Sequence, residues 1–176
     1  MSFWVFGYGS LLWNPGFTPA QSVKAKLRDY HRSFCMLSIH HRGSEEEPGL
    51  VLALDAAPGG QCTGLAFQVS DADAEHVLAE LRARELISSA YVERHVDLET
   101  ETGETIHALA YVIDPEHVQY CQFDLERQAQ MIATAVGGRG PNTEYLFNTA
   151  DHLKTLGIAD PDMDWLASRV RALTAT

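Results

Sequence analysis

The chain has 176 residues, 45% of them hydrophobic and 21% charged, the make-up of an ordinary soluble globular domain and not of a disordered, fibrous or membrane-spanning one. Its 13 basic side chains face 24 acidic ones, a net charge of −11 that disfavours nucleic acid and anionic membrane as partners. A small-molecule substrate that is itself anionic must then be held by local donors against the field of the whole protein.

A length of this order suits one domain over residues 1–176, able to bury roughly 70% of the surface its unfolded form exposes. Three cysteines, Cys35, Cys62 and Cys121, form no Cys-x-x-Cys pair, and their odd number fits a reduced, cytoplasmic setting. No targeting sequence is visible, and the N-terminal apolar run is short and broken by glycine.

In chain order, an apolar strand over Phe3–Tyr8 runs into Gly7-Tyr8-Gly9-Ser10-Leu11-Leu12-Trp13. Two glycines flanking one aromatic residue permit positive φ and close approach to the main chain. Successive N–H groups in such a turn can converge on a small carboxylate-bearing ligand. Gly-x-Gly is equally ordinary turn chemistry. It is not a dinucleotide fingerprint, since no third glycine and no helix start follow, nor a P-loop, since no Gly-Lys-Ser/Thr follows.

Further strand-like segments are Val23–Leu27, His31–Ser38, Leu50–Asp55 and Cys62–Val69, punctuated by Asn14-Pro15-Gly16 and Ala57-Pro58-Gly59-Gly60. A helix is expected from about Asp71 to Arg84, with Ser70 and Asp73 near its start. Tyr91–Leu98 and Thr105–Ile113 read as a hairpin around Glu101-Thr102-Gly103. The last third reads as three helices: Leu125–Val136 after a cap at Asp124, Asn142–Leu156 ending at Gly157, and Asp162–Leu173 after Pro161. The tract from Gly137 to Asn142 reads as a helix stop and a new cap. Strands early and helices late make the fold α+β.

On the helix ending near Arg84, Val77, Leu78 and Leu81 form the apolar stripe, and a step of four places Glu85 on it, with Arg84 on a solvent-facing track. A carboxylate completing an apolar face is either desolvated, which raises its pKa towards that of a usable proton acceptor, or lies just past the helix end in a loop. Periodicity leaves both open. His40 and His41 are adjacent in an extended stretch and point to opposite faces, which argues against a shared metal ion. Arg42 beside them reads as a structural or carboxylate-pairing cation. Cys35 lies on one face with His31, but a buried packing thiol is the commoner reading. Tyr8, Tyr91 and Tyr111 serve as core fillers in most settings, although each lies on or beside segments able to form a pocket. His95 and His107 read as structural or exposed.

Five pieces in order resemble the ChaC-type γ-glutamylcyclotransferases: Trp4–Trp13, Ser38 with His41-Arg42-Gly43, Pro48-Gly49, Arg84-Glu85, and Asn142-Thr143-Glu144-Tyr145-Leu146. The resemblance implies a small mixed barrel-like sheet with peripheral helices and a helical C-terminal third. It implies that the turn Gly7, Tyr8, Gly9, Ser10, Leu11 and Leu12 binds a γ-glutamyl group, with Arg42 and Tyr111 as further candidate binding residues. Glu85 would be the catalytic acid/base. The implied reaction is release of 5-oxoproline and cysteinylglycine from glutathione by attack of the substrate's own α-amine, with no metal or organic cofactor. Other γ-glutamyl compounds, or a binding module without activity, are the competing possibilities. Two departures stand out: His40 where some relatives have aspartate, and Leu86–Tyr91 in place of a glycine-containing loop.

Overall fold

The computed structural model describes residues 3–86 and 90–175. It divides into two compact units, one made of the chain up to Ser33 together with Ala53–Val118, the other of Phe34–Leu52 with the chain from Gln119 onward.

The chain runs β1 (Phe3–Gly7), α1 (Ser10–Trp13), β2 (Gln21–Ser38), β3 (Gly49–Val69), α2 (Ala74–Glu85), β4 (Tyr91–Thr100) and β5 (Thr105–Ile113). It continues through α3 (Leu125–Thr134), the two-residue strands β6 (Val136–Gly137) and β7 (Gly140–Pro141), α4 (Asn142–Thr155) and α5 (Pro161–Thr174). Strands β1-β3-β2-β4-β5 close into a barrel, so the α+β class and the barrel-like sheet with helices are as expected.

In the first unit, β1 lies antiparallel to β3, with Phe3 opposite Val69 and Gly7 opposite Leu65. Parallel bridges from Val5 to Leu109 and from Leu54 to Val112 complete the closure, which removes the exposed sheet edges that invite aggregation. The four separate segments expected between Val23 and Val69 are two long strands instead. Asp29 turns the backbone to φ 69° in mid-strand, and its carboxylate accepts from the Gly59 N–H at 3.0 Å. The Pro-Gly-Gly tract therefore bends β3 without ending it.

Helix α2 packs its Val77 and Leu81 into a buried cluster with Val5, Leu11, Phe67, Val69 and Tyr111. Burial of each such side chain is worth roughly 1.5–3 kcal/mol. The helix starts three residues later than expected, at Ala74. Ser70 and Asp73 bond each other (3.1 Å), and Asp73 makes no side-chain cap.

In the second unit, α3, α4 and α5 share a core that includes Ile132, Leu146, Leu166 and Val170. Asp124 caps α3 by accepting from Arg127 N, and Asp160 caps α5 by accepting from Met163 N, with Pro161 at the first turn. The Gly137–Asn142 tract is more than a stop and a cap, because β6 and β7 form a hairpin there. A Cβ on Gly137 would lie 2.5 Å from the Arg42 nitrogen, and Gly138 N donates to the His40 carbonyl at 2.7 Å. Backbone contact of this closeness accounts for the glycine pair opposite His40–Gly43.

Candidate functional site

The Gly7–Leu12 turn leaves β1 under tight steric control. A Cβ on Gly7 would sit 2.6 Å from Cε2 of Phe67, so close approach and not a left-handed backbone demands glycine here. Gly9 has φ −134° and caps the single helical turn α1, a helix start that the sequence pattern did not suggest. The Tyr8 hydroxyl donates to the Tyr111 carbonyl at 2.8 Å. The Tyr8 carbonyl accepts from Arg32 Nε at 2.6 Å, and Arg32 also donates to the Thr63 carbonyl. Leu11 and Leu12 are buried, whereas Ser10 is half-buried. The turn is thus anchored on both sides, with its hydroxyl residue at the accessible point.

Glu85 is the last residue of α2, and the Leu86 N–H closes the helix on the Arg82 carbonyl at 2.9 Å. Helical geometry therefore includes residue 85 and decides between the two readings of its position. With Val77 and Leu81 buried beneath it, its side chain is only 13% exposed. Leu78, expected on the same stripe, is half-buried.

Arg84 departs from expectation. Its side chain is 19% exposed, not solvent-facing, because it folds back onto the glycine turn. Nη2 donates to Ser10 Oγ at 2.9 Å, Nη1 donates to the Asn14 carbonyl at 2.6 Å, and Nε lies 3.6 Å from Glu85 Oε1. One guanidinium therefore links the candidate acid/base to the candidate ligand turn.

Tyr111 comes from β5, where it faces Glu93 of β4 directly across the hairpin. Its hydroxyl donates to Glu93 Oε1 at 2.9 Å, and Glu93 accepts from Arg82 Nε at 3.1 Å and Nη2 at 3.0 Å. Burial above all, then the bond to Glu93 and the charges of Glu93 and Glu85, push the Tyr111 phenol well above its ordinary pKa. The hydrogen bond from Arg82 chiefly, and that from Tyr111, hold the Glu93 carboxyl below the usual range against its partial burial. Tyr111 is accordingly a neutral hydrogen-bonding group at physiological pH, near enough to Glu85 to feel its charge.

Arg42 belongs to the second unit, where it is buried. It donates to the Pro141 carbonyl at 3.1 Å, pairs with Glu144 at 3.5 Å and lies over the Tyr145 ring, while its N–H donates to Ser38 Oγ. These contacts fit the structural, carboxylate-pairing reading. In the same unit Asn142, fully buried, accepts from Leu50 N and donates to the Leu50 carbonyl, both at 2.8 Å, and the Tyr145 hydroxyl accepts from Leu52 N at 3.1 Å. The Asn142–Leu146 motif thus includes two side chains that satisfy β3 backbone groups, a role invisible in sequence because the partners lie about 90 positions away.

His31 pairs loosely with Asp55, Cys35 is buried as packing, and His95 and His107 are exposed. Among the described residues, no cluster of three or more His, Cys, Asp or Glu is arranged to hold a metal, and no helix is long and apolar enough to cross a membrane. Ile87, Ser88 and Ser89, the middle of the segment expected to differ from relatives, lie outside the described residues. A cavity of about 590 Å³ bordered by Phe3, Trp4, Leu78, Arg82, Glu93 and His95 includes neither Glu85 nor the Gly7–Leu12 turn. It shares only the Arg82–Glu93 pair with this site.

A closed five-stranded barrel with peripheral helices is the fold of the solved γ-glutamylcyclotransferases. A yeast γ-glutamyl cyclotransferase specific to glutathione superposes with a TM-score of 0.90, covering 99% of this chain and 97% of its own, at 20% identity. A second γ-glutamyl cyclotransferase matches with a TM-score of 0.62 at 19% identity, over 94% and 86%. At such identities these likenesses establish the fold. The chain belongs to the ChaC-like protein family, whose model matches residues 3–173. Among its relatives are the glutathione-specific γ-glutamylcyclotransferase of Escherichia coli, 36% identical over 98% of this chain and 74% of that protein, and that of Schizosaccharomyces pombe, 33% identical over 92% and 88%.

Proposed function

We propose that this protein is a γ-glutamylcyclotransferase that cleaves glutathione into 5-oxoproline and cysteinylglycine, with Glu85 as general acid/base. The observation that carries the reading is the helical, 13%-exposed Glu85 joined through Arg84 to Ser10 of the glycine turn. Family membership and the activities of the relatives supply the substrate class.

The chemistry needs no protein nucleophile. The α-amine of the γ-glutamyl group attacks its own side-chain carbonyl, forming the lactam C–N bond as the bond to the cysteinyl nitrogen breaks. A proton leaves the attacking nitrogen and one must reach the departing nitrogen, and a single carboxylate does both in turn, a service worth typically ~10²–10⁴-fold. Tyr111, held neutral, cannot be that base near pH 7. Instead its hydroxyl, whose proton is committed to Glu93, offers oxygen lone pairs to an N–H of the attacking amine.

At the start of a helical turn the first N–H groups have no intrahelical acceptor. Those of Gly9, Ser10 and Leu11 suit the substrate carboxylate or the developing oxyanion. Ring closure gains most from holding the flexible γ-glutamyl chain in attack geometry. The family match over 3–173 supports a single functional domain, and buried Cys35, Cys62 and Cys121, which form no disulfide among the described residues, fit a cytoplasmic setting.

The test is turnover of purified protein. Glutathione should give 5-oxoproline and cysteinylglycine in equal amounts, faster than a γ-glutamyl amino acid gives 5-oxoproline. Preference for the amino acid derivative would shift the substrate assignment, and binding without turnover would leave only a binding module.

A further inference from the structure

Arg84 makes three polar contacts, two of which reach from the end of α2 to the segment around α1. Nε faces the Glu85 carboxylate at 3.6 Å, one terminal nitrogen donates to Ser10 Oγ, and the other donates to the Asn14 carbonyl just past α1. From these we infer that Arg84 is a positioning residue that sets the charge of Glu85 and the direction of the Ser10 hydroxyl together. The inference rests on the reading of Glu85 as acid/base and extends it to a neighbour.

The first consequence is electrostatic. Among the described residues, the ionisable groups that face Glu85 include Arg84 on its own helix and, from the β4–β5 hairpin, Tyr111 backed by Glu93 and Arg82. Tyr111 is neutral and the Arg82–Glu93 pair is internally compensated. Arg84 brings a permanent positive charge to within ion-pair distance of a carboxylate that is largely out of water. An opposite charge at such a distance lowers a carboxyl pKa by about 1–3 units, counteracting the rise that burial alone would produce. The glutamate is thereby kept ready to accept a proton near neutral pH.

The second consequence is directional. A guanidinium only donates, so the Ser10 oxygen must accept from it. The single hydroxyl proton of Ser10 is therefore turned away from Arg84 and is available to a ligand carboxylate in the turn. Lysine reproduces the charge but not the planar fork that spans three acceptors at once. Arg84 thus ties the ionisation of the acid/base to the shape of the binding turn.

The measurement is a carbon NMR titration of the Glu85 side-chain carboxyl, assigned by its disappearance in Glu85→Gln, in the substrate-free full-length protein and in Arg84→Met and Arg84→Lys. Circular dichroism checks the fold of each variant. We expect the Glu85 titration to move up by about one unit or more in Arg84→Met and to be largely restored in Arg84→Lys. An unchanged titration in a folded Arg84→Met variant would overturn the electrostatic role whether or not glutathione is the substrate. Kinetics with the best γ-glutamyl substrate read the second role. Arg84→Lys should keep a raised KM, and Ser10→Ala added to Arg84→Met should cost less than the product of the single effects. Strictly multiplicative effects would exclude the coupling. An inactive wild type with an intact titration shift would instead count against the substrate assignment alone.

Discussion

Tyr111 shows how a residue that resembles core filler acquires a polar task. Its ring lies in the cluster with Val5, Leu81 and Phe67, while its hydroxyl emerges at Glu93. Burial and a carboxylate acceptor both oppose loss of the phenolic proton, so the group serves as a fixed dipole at any pH where the enzyme works. Removing one neutral hydrogen bond to substrate is worth about 0.5–1.5 kcal/mol. Tyr111→Phe is therefore expected to raise KM for glutathione about two- to tenfold with a smaller change in kcat. Steady-state kinetics check this, and an unaltered KM would remove Tyr111 from substrate binding. Arg82 supports the arrangement by pairing with Glu93 and leaving the Glu93 carboxylate ionised.

Helix α2 is the element on which the site depends. Its two buried anchors, Val77 and Leu81, fix the rotation that carries residue 85 inward. Truncating such a side chain typically costs 2–5 kcal/mol, including the cavity left behind. Leu81→Ala should lose stability in that range by urea denaturation and should lower kcat more than a substitution at the exposed Glu80 position. Equal kcat in the two variants would detach helix packing from catalysis.

In the second unit, Asn142→Ala leaves both polar groups of Leu50 without their partner and should cost about 2 kcal/mol or more. The phase of α2 was readable from its apolar spacing, but whether the helix reaches Glu85 was not, because periodicity does not fix where a helix ends. The fate of Arg84 was not, because a helical wheel gives the direction of Cβ while a long side chain can fold back across a turn. The continuity of β2 and β3 was hidden for a different reason. Asp29, Pro58 and Gly59 are residues that normally end strands, and only the Asp29–Gly59 bond across the bend shows that they redirect them.

At the scale of the whole molecule, the shifted groups contribute to how stability varies with pH. Glu93 has a folded pKa below its unfolded one, so its contribution is present above the ordinary carboxylate range near 4 and is lost as pH falls through the lower folded value. Tyr111 has a folded pKa above its unfolded one. Stability is intact below about pH 10 and declines as pH rises beyond it, where the unfolded phenol ionises and the buried one resists. Urea midpoints followed from pH 8 to 11 should fall less steeply in Tyr111→Phe than in the parent protein; identical slopes would contradict this account. Burial also pushes the Cys121 thiol up to about 11, which predicts little alkylation of that residue in the native protein at pH 8. Rapid labelling under those conditions would show that its surroundings open readily.

The claim on which the rest depends is that one enclosed carboxylate moves the protons of lactam formation. Conversion of Glu85 to glutamine keeps the size of the side chain and removes its capacity to accept and return a proton. Assay of 5-oxoproline release, paired with calorimetric binding of glutathione to the same variant, separates chemistry from recognition. The account predicts release reduced by at least about 10²-fold with affinity nearly unchanged. Release at close to the parental rate would contradict it.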